Sequence, residues 1–362
     1  MFIVRRSLSV ARRMAVVLAI LAPAFMGSDA GGLHAAQEER FTFEAVEMGT
    51  LFRITLYASD KETAEAASTA ARTRVEALNA ALSDYLPESE INRLSNSSGH
   101  GTPVHVSDDL WNVLALSQSL ADKTDGAFDV TVGPLVKTWK HARRNGKLPA
   151  AELLERMRAR TGWRNMILDA VHHTVELRVP DMQLDVGGMA KGYAVDEALK
   201  VLRRHGVTRA LVAAGGDIAA SGAPPGEAGW RIMITPLDAE GAPPPRFVML
   251  RNSAVSTSGD THQRVEIDGV RYSHIVDPRT GLGITDHSLV SVLAPNCTTT
   301  DLLETTVTVL GPERGLKLIE ATPRTAAFII RKPADKIETF ESSRWHELAG
   351  EDAAVHGRSK LR

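Results

Sequence analysis

The 362-residue sequence contains a single cysteine, Cys297, and only 5% of its residues are aromatic. One thiol cannot form an intramolecular disulfide, and it excludes zinc sites that are built from several thiolates. The sequence also lacks a Gly-x-Ser-x-Gly elbow, a His-Glu-x-x-His motif and a Walker A loop. Chemistry based on those three motifs is therefore not expected.

Positive and negative charges nearly balance, because 42 Lys and Arg and 44 Asp and Glu give a formal net charge of −2. A nucleic-acid-binding protein usually carries a basic stripe, so we expect no nucleic-acid partner. Charged residues make up 24% and hydrophobic residues 43%, which is typical of a globular chain with a substantial core. Beyond the N-terminus no apolar run is long enough for a membrane helix, so the mature chain is predicted to have no transmembrane segment.

Residues 1–36 have the three-part pattern of a cleavable signal peptide: arginines, a short apolar run at 14–26, and small residues. The pair Arg5-Arg6 fits a twin-arginine signal, and it fits an ordinary secretory signal with several arginines equally well. Cleavage is expected after Ala36, with Ala30 as the alternative. The segment holds four Arg and one Asp, so its removal changes the net charge from −2 to −5. We predict a periplasmic protein.

The patterning along the rest of the chain predicts an α+β fold, with helices packed on a mixed sheet. Alternating residues around Met48-Gly49 predict a hairpin, and helices are predicted at 61–82, from Ser107, at 189–205 and at 301–310. Strands are predicted at 169–179, 182–186, 210–214, 230–235, 246–250, 270–276, 287–294 and 326–330, with a surface helical insertion at 138–162. Residues 41–330 are predicted to form one domain and residues 331–362 a polar C-terminal tail.

The strongest local signal is the stretch 184–194, in which Asp185 ends a strand, two glycines turn the chain, and Lys191 lies in the first turn of a helix. Glycines let a ligand approach the backbone closely, and a helix N-terminus favours anions. The stretch therefore suits a phosphate group. Taken alone, it is also typical of an ordinary strand-to-helix turn.

A second stretch places Asp301 and Thr305 four residues apart, on one face of the predicted helix. Both side chains offer oxygen, which suits Mg²⁺ or Ca²⁺ better than zinc. The spacing alone is more typical of Asp301 as a helix-start residue that suits the helix dipole, with Thr305 bonded to the backbone.

Two further stretches carry residues suited to ligand binding. His274 leaves a predicted strand before an Asp-Pro-x-x-Gly turn; it is a candidate acid/base, or else a satisfied histidine near a strand end. Phe128 could stack on a ring and Asp129 could hydrogen-bond to one. The alternative for 126–134 is a helix C-cap followed by a buried edge.

Together these stretches resemble the ApbE family, the FAD:protein FMN transferases, over about residues 41–330. The matching pieces, in the family's order, are 48–50, 83–85 with 89–91, 126–129, 185–194, 214–217, 274–281 and 301–311. The resemblance implies a mixed-sheet α+β fold with the active site in a central cleft. It also implies transfer of FMN from FAD to a threonine or serine hydroxyl of another protein, with AMP as the leaving group.

The resemblance implies roles for individual residues as well. Mg²⁺ would bind the Gly188 carbonyl, the Asp301 carboxylate and the Thr305 hydroxyl, and FAD would be the substrate. Lys191 would face the pyrophosphate, and His274 would either activate the acceptor hydroxyl or protonate the leaving phosphate; His274 and Asp301 are thus the catalytic candidates. The FAD site would be lined by Met48, Tyr85, Ala127, Phe128, Asp129, Asp185, Lys191, His274 and Ile275.

The implied partner is an extracytoplasmic flavoprotein domain of a membrane electron-transfer complex, in nitrous-oxide respiration if the twin-arginine signal is real. Two alternatives stay open: a metal-dependent FAD pyrophosphatase that releases FMN and AMP, and a flavin-binding protein without catalysis. The sequence departs from the family at Glu304, where alanine is common. This carboxylate would lie either in solvent or in the carboxylate shell of the metal.

Overall fold

The computed structural model describes residues 38–259, 264–334 and 336–350. The predicted signal peptide and residues 351–362 lie outside these ranges. The strands are β1 (Glu39–Glu47), β2 (Thr50–Ala58), β3 (Val104–His105), β4 (Met166–Asp169), β5 (Thr174–Leu177), β6 (Ala210–Ala214), β7 (Asp217–Ala220), β8 (Trp230–Ile234), β9 (Arg246–Leu250), β10 (Ser253–Gly259), β11 (Arg264–Ile267), β12 (Val270–Ser273), β13 (Ser288–Ala294), β14 (Ala326–Arg331) and β15 (Glu338–Glu341). The helices are α1 (Lys61–Leu82), α2 (Glu90–Asn96), α3 (Asp108–Thr124), α4 (Gly133–Asn145), α5 (Ala151–Arg158), α6 (Ala190–Arg204), α7 (Cys297–Ala321) and α8 (Trp345–Ala349).

An eight-stranded sheet in the order β1-β2-β6-β7-β10-β13-β14-β15 organises the described part of the chain. Its ladders are antiparallel. Smaller sheets are formed by β3-β5-β4, β8-β9 and β11-β12. The predicted α+β fold is confirmed. Among the helices described here, none is long and apolar enough to cross a bilayer.

The hairpin predicted around Met48-Gly49 forms between β1 and β2, which pair along their full length from Glu39↔Ala58 to Glu47↔Thr50. Met48 has φ 50° and Gly49 has φ 73°. Two consecutive residues in this left-handed region match the twist of the two strands, which is why a glycine follows Met48.

The main core contains buried side chains of the sheet and of the helices α1, α2, α3, α6 and α7. Asp60 caps α1 by accepting a hydrogen bond from the Thr63 amide at 2.8 Å. The buried face of α1 then follows the 3.6-residue period, from Ala64 to Leu82. In α7 the backbone breaks at Gly311, which has φ 73° and ψ 175°, as the Gly-Pro pair predicts.

Two predictions in the middle of the chain are wrong. Residues 182–186 form no strand, and only an isolated bridge joins Gln183 to Val132. The segment 138–162 is not simply a surface insertion, because α4 buries Trp139 completely. The Trp139 indole N–H donates to the Ser273 carbonyl at 3.0 Å, so α4 anchors the end of β12.

The polar tail expected from residue 331 is instead folded onto the sheet over its described part. Strand β15 pairs with β14 from Phe328↔Glu341 to Arg331↔Glu338. The ring of Trp345 in α8 packs 5.5 Å from that of Phe328 and is 2% exposed. This segment is polar in composition, yet it contains one large buried side chain.

Candidate active site

A cleft beside α6 and α7 consists of two adjoining cavities, one of about 660 Å³ and one of about 280 Å³. The cavities share four lining residues: Lys191, Ser258, His274 and Glu304. A molecule that spans both cavities must therefore pass these side chains.

Helix α7 presents Asp301, Glu304 and Thr305 to this cleft because positions i, i+3 and i+4 share one helical face. The helix begins at Cys297 and is capped by Asn296, so the alternative that Asp301 starts the helix is wrong. The Thr305 hydroxyl donates to Glu304 Oε1 at 3.2 Å. By contrast, the Thr306 and Thr308 hydroxyls donate to carbonyls four residues earlier. Thr305 is thus directed to the cleft.

Three buried carboxylates meet at the floor of the cleft. Asp217, Asp301 and Glu304 each place one oxygen so that the three oxygens lie within 4.8 Å of one another. The ammonium of Lys191 lies 3.0 Å from Asp217 Oδ2 and 3.5 Å from Asp301 Oδ2. One lysine therefore compensates three acidic groups, and its charge is directed at the carboxylates.

The burial of this cluster changes its titration. Burial, reinforced by the neighbouring Asp217, raises the pKa of Asp301 to about 7. Burial and the charge of Asp301 raise the pKa of Glu304 well above its ordinary value. Burial opposes the charge of Lys191, but the carboxylates of Asp301 and Asp217 outweigh it and raise the pKa of the lysine. The site thus favours positive charge.

Two glycines, one just before α6 and one in its first turn, let this segment approach α7. A Cβ on Gly192 would lie 2.3 Å from the Cys297 carbonyl oxygen, and the Gly192 amide donates to Asp301 Oδ2 at 2.8 Å. A Cβ on Gly188 would lie 3.2 Å from Thr305 Oγ1. The structure therefore brings Gly188, Asp301 and Thr305 together, as the resemblance implied.

The residues at this point fit a hard divalent cation. Asp301 Oδ1 and Glu304 Oε2 are buried and have no hydrogen-bond partner among the described residues. A buried carboxylate oxygen without a partner is costly, and a cation removes that cost. The donor set contains only oxygen, which suits Mg²⁺ or Ca²⁺.

The smaller cavity collects nearly all the residues predicted to bind FAD. Its lining includes Tyr85, Ala127, Phe128, Asp129, Asp185, Lys191, His274 and Ile275. Met48 lines the larger cavity instead. The Tyr85 side chain is 71% exposed, and the Lys140 ammonium lies 4.6 Å from its ring centroid. Lys140 also lies 3.7 Å from Asp185 Oδ2.

The carboxylate of Asp129 holds its own loop together. Its Oδ1 accepts from the Thr131 amide at 2.8 Å and from the Thr131 hydroxyl at 2.7 Å. Its Oδ2 accepts from the Trp163 amide at 3.1 Å. These bonds position the neighbouring Phe128, which lines the cavity. A hydrogen bond between Asp129 and a ligand ring stays a prediction.

The sequence prediction missed several residues of the site: Asp217, Lys140, Ser258 and, as an assigned ligand, Glu304. Asp217 ends the Gly-Gly-Asp stretch at 215–217, which carried a signal but no role. Glu304 is 6% exposed and contacts Thr305, so its alternative placement in solvent is wrong.

A buried, oxygen-rich cluster next to a lysine in a cleft is an arrangement found in enzymes that act on phosphate esters with the aid of a divalent cation. The ApbE family profile matches residues 48–329. The FAD:protein FMN transferase of Escherichia coli K12 is 31% identical over 306 residues, 83% of this chain and 86% of that protein. The enzyme of the same name from Vibrio cholerae (strain O395) is 34% identical over 272 residues, 74% of this chain and 80% of that one.

Solved structures agree with these sequence matches. The apo flavinyl transferase ApbE of Pseudomonas stutzeri superposes with a TM-score of 0.77 at 31% identity, over 88% of this chain and 99% of that one. The flavin transferase ApbE of Vibrio cholerae gives the same score and identity over 86% and 99%. The chain belongs to the ApbE family, and it is a transferase.

Proposed function

We propose that the chain transfers FMN from FAD to a threonine or serine hydroxyl of an extracytoplasmic flavoprotein, with Mg²⁺ bound in the cleft. The hydroxyl oxygen attacks the phosphorus of the FMN half, the bond from that phosphorus to the bridging oxygen breaks, and AMP leaves. The observation that carries this proposal is the pair of buried, unpartnered oxygens on Asp301 and Glu304 at the floor of the cleft.

The predicted metal ligands are the Gly188 carbonyl, the Asp301 carboxylate and the Thr305 hydroxyl. Bound there, Mg²⁺ would neutralise charge on the pyrophosphate of FAD. The chain itself supplies further positive charge beside this site, since the Lys191 ammonium lies 3.0 Å from Asp217 Oδ2 and 3.5 Å from Asp301 Oδ2.

His274 is the proposed proton-transfer group. It follows directly after β12, whose last carbonyl is fixed by Trp139, and it lines both cavities. A group at this junction can reach either the acceptor hydroxyl or the leaving phosphate. Both roles remain proposals, in line with general acid–base chemistry of histidine near neutral pH.

The two cavities also suit the proposed substrate. The smaller one is lined by the aromatic residues Tyr85 and Phe128, while the larger one is lined by residues of the hairpin turn at Met48. A dinucleotide is long enough to need both, and its pyrophosphate would then lie near the shared residues. Aromatic stacking contributes about 1–3 kcal/mol per base in comparable sites.

The test is mass spectrometry of an acceptor flavoprotein domain after incubation with the protein, FAD and Mg²⁺. The expected result is a gain of one FMN on a threonine or serine, with one AMP released, abolished by EDTA and by Asp301→Ala. Release of FMN and AMP without an adduct would favour the pyrophosphatase. FAD binding without turnover would favour the non-catalytic alternative.

Export is part of the proposal. The periplasmic site rests on the pattern of residues 1–36, which the structure does not describe. N-terminal sequencing of the protein from a periplasmic fraction should begin near Gln37. If the twin-arginine signal is used, replacing Arg5-Arg6 with two lysines stops export, whereas an ordinary secretory signal tolerates the change.

A further inference from the structure

The carboxylate of Glu304 has no role in the ligand set described so far. It lies on α7 one residue before Thr305, it is 6% exposed, and it lines both cavities of the cleft. We propose that Glu304 is a further ligand of the divalent cation, so that this chain binds the ion with two carboxylates of α7, Asp301 and Glu304. This inference rests on the proposed metal-dependent function and adds a residue to its site.

The hydrogen bonding of Glu304 leaves one of its carboxylate oxygens without a partner among the described residues. Its Oε1 accepts from the Thr305 hydroxyl at 3.2 Å, whereas its Oε2 is buried without a hydrogen-bond partner among the described residues. In Asp301, too, one oxygen is hydrogen-bonded and the other is not. Oδ2 accepts from the Gly192 amide at 2.8 Å, and Oδ1 is buried without a hydrogen-bond partner among the described residues. Each residue thus keeps one oxygen for a ligand.

The carboxylates of the cluster lie close to the separation that ligands of one ion require. The cluster places one oxygen of Asp301, one of Glu304 and one of Asp217 within 4.8 Å of one another. Oxygens bound to one ion are separated by at most twice the metal–oxygen distance, about 4 Å for Mg²⁺ and about 5 Å for Ca²⁺. One ion can therefore bridge these carboxylates after small side-chain movements.

The charge of the cluster matches that of a divalent cation. Asp217, Asp301 and Glu304 carry three negative charges when ionised, and among the described residues Lys191 is the cation that contacts the cluster. The net charge of the three carboxylates and Lys191 is then −2, which a single divalent cation neutralises. Without Glu304 the net charge would be −1, so Glu304 increases the attraction of the cluster for a divalent cation.

A role for Glu304 as a base for the acceptor hydroxyl fits these observations less well. A base must keep an oxygen free for a proton, whereas here one oxygen of Glu304 lies in a group of three carboxylates that suits a cation. Like charges at such distances attract a cation strongly, and a bound cation leaves the oxygen unavailable for a proton.

The test measures binding of Mn²⁺ to the purified protein by isothermal titration calorimetry. The first variant is Glu304→Gln, which keeps the shape of the side chain and removes its charge. The second is Glu304→Ala, which serves if the Glu304→Gln protein does not fold. The control is Glu313→Gln on the second half of α7, where Glu313 is exposed and pairs with Lys317 at 2.9 Å. We expect the Kd for Mn²⁺ to rise about tenfold or more in both Glu304 variants and to stay unchanged in the control.

Thermal unfolding gives a second readout that is independent of activity. Since Glu304→Gln removes one of three buried like charges, the metal-free variant should melt higher than the metal-free wild type. The rise in Tm on addition of Mn²⁺ should be smaller in the variant, because its ion binds less tightly. A structural role for Glu304 would lower the Tm in both conditions and overturn the inference.

Asp301→Ala separates this inference from the proposed function. If Asp301→Ala abolishes Mn²⁺ binding while Glu304→Gln leaves the Kd within twofold of wild type, the metal site stands and Glu304 is not a ligand. If the Glu304 variants weaken Mn²⁺ binding and Asp301→Ala does not, Glu304 stands as a ligand, but its pairing with Asp301 and the ligand set proposed for the function are both wrong.

Discussion

The close approach of α6 to α7 predicts a large effect of a single methyl group at Gly192. In Gly192→Ala the new Cβ would lie 2.3 Å from the Cys297 carbonyl oxygen and 2.7 Å from Asp301 Cβ. The first of these distances is about 1 Å shorter than an ordinary contact, and the opposing atoms are backbone and Cβ atoms that cannot rotate away. The two helices must therefore separate.

The separation acts on the site directly, because the Gly192 amide holds Asp301 Oδ2 at 2.8 Å. Overpacking of this kind costs about 1–3 kcal/mol of stability. A displacement of about 1 Å in a reacting group can lower the rate about 100-fold. We expect Gly192→Ala to lose several degrees of Tm and to lower FMN transfer about 100-fold, as measured by thermal unfolding and by mass spectrometry of the acceptor.

The matched control is Gly206→Ala at the end of α6. Gly206 has φ 80° and open space around it, so alanine there costs about 1–2 kcal/mol of backbone strain and displaces no neighbour. This control should lose stability but keep its rate of transfer. The reasoning is refuted if Gly192→Ala transfers FMN within twofold of wild type, or if Gly206→Ala is equally inactive.

Other substitutions test other parts of the account. Trp345→Ala should destabilise the protein by about 3–5 kcal/mol in urea unfolding, because the indole is 2% exposed and packs on Phe328; a change below about 1 kcal/mol would restore the idea of a polar tail. Asp129→Ala leaves the Trp163 amide without its acceptor, so FAD should bind more weakly in fluorescence titration, and unchanged affinity would contradict this positioning role. Lys191→Met should lower the Tm in metal-free buffer, and Mg²⁺ should restore part of the loss because it replaces the missing cation; equal Tm values in both buffers would argue against the charge balance of the site.

Elements whose pattern is local could be predicted from the sequence. The hairpin needs only alternation and the Met48-Gly49 turn, and α1 needs only its apolar face and the Asp60 cap. By contrast, β7 and β10 were not predicted. They are rich in alanine and serine, and they are strands because central positions in the sheet give their backbones hydrogen bonds on both sides.

The same distinction applies to the site. The spacing of Asp301 and Thr305 follows from helix geometry alone, and the structure confirms that they share one face. Asp217 joins them only because β7 lies between β6 and β10 in the sheet. The pairing of Lys191 with Asp217 at 3.0 Å depends on that arrangement, so the sequence suggested a lysine facing phosphate but not one shared with carboxylates.

The most direct test of the central claim is anomalous diffraction from crystals of the protein grown with Mn²⁺ and FAD. The account predicts an anomalous peak in contact with the Asp301 carboxylate, next to Thr305 and Glu304 and close to the pyrophosphate of FAD. Bound FAD with no Mn²⁺ at this cluster would contradict the account.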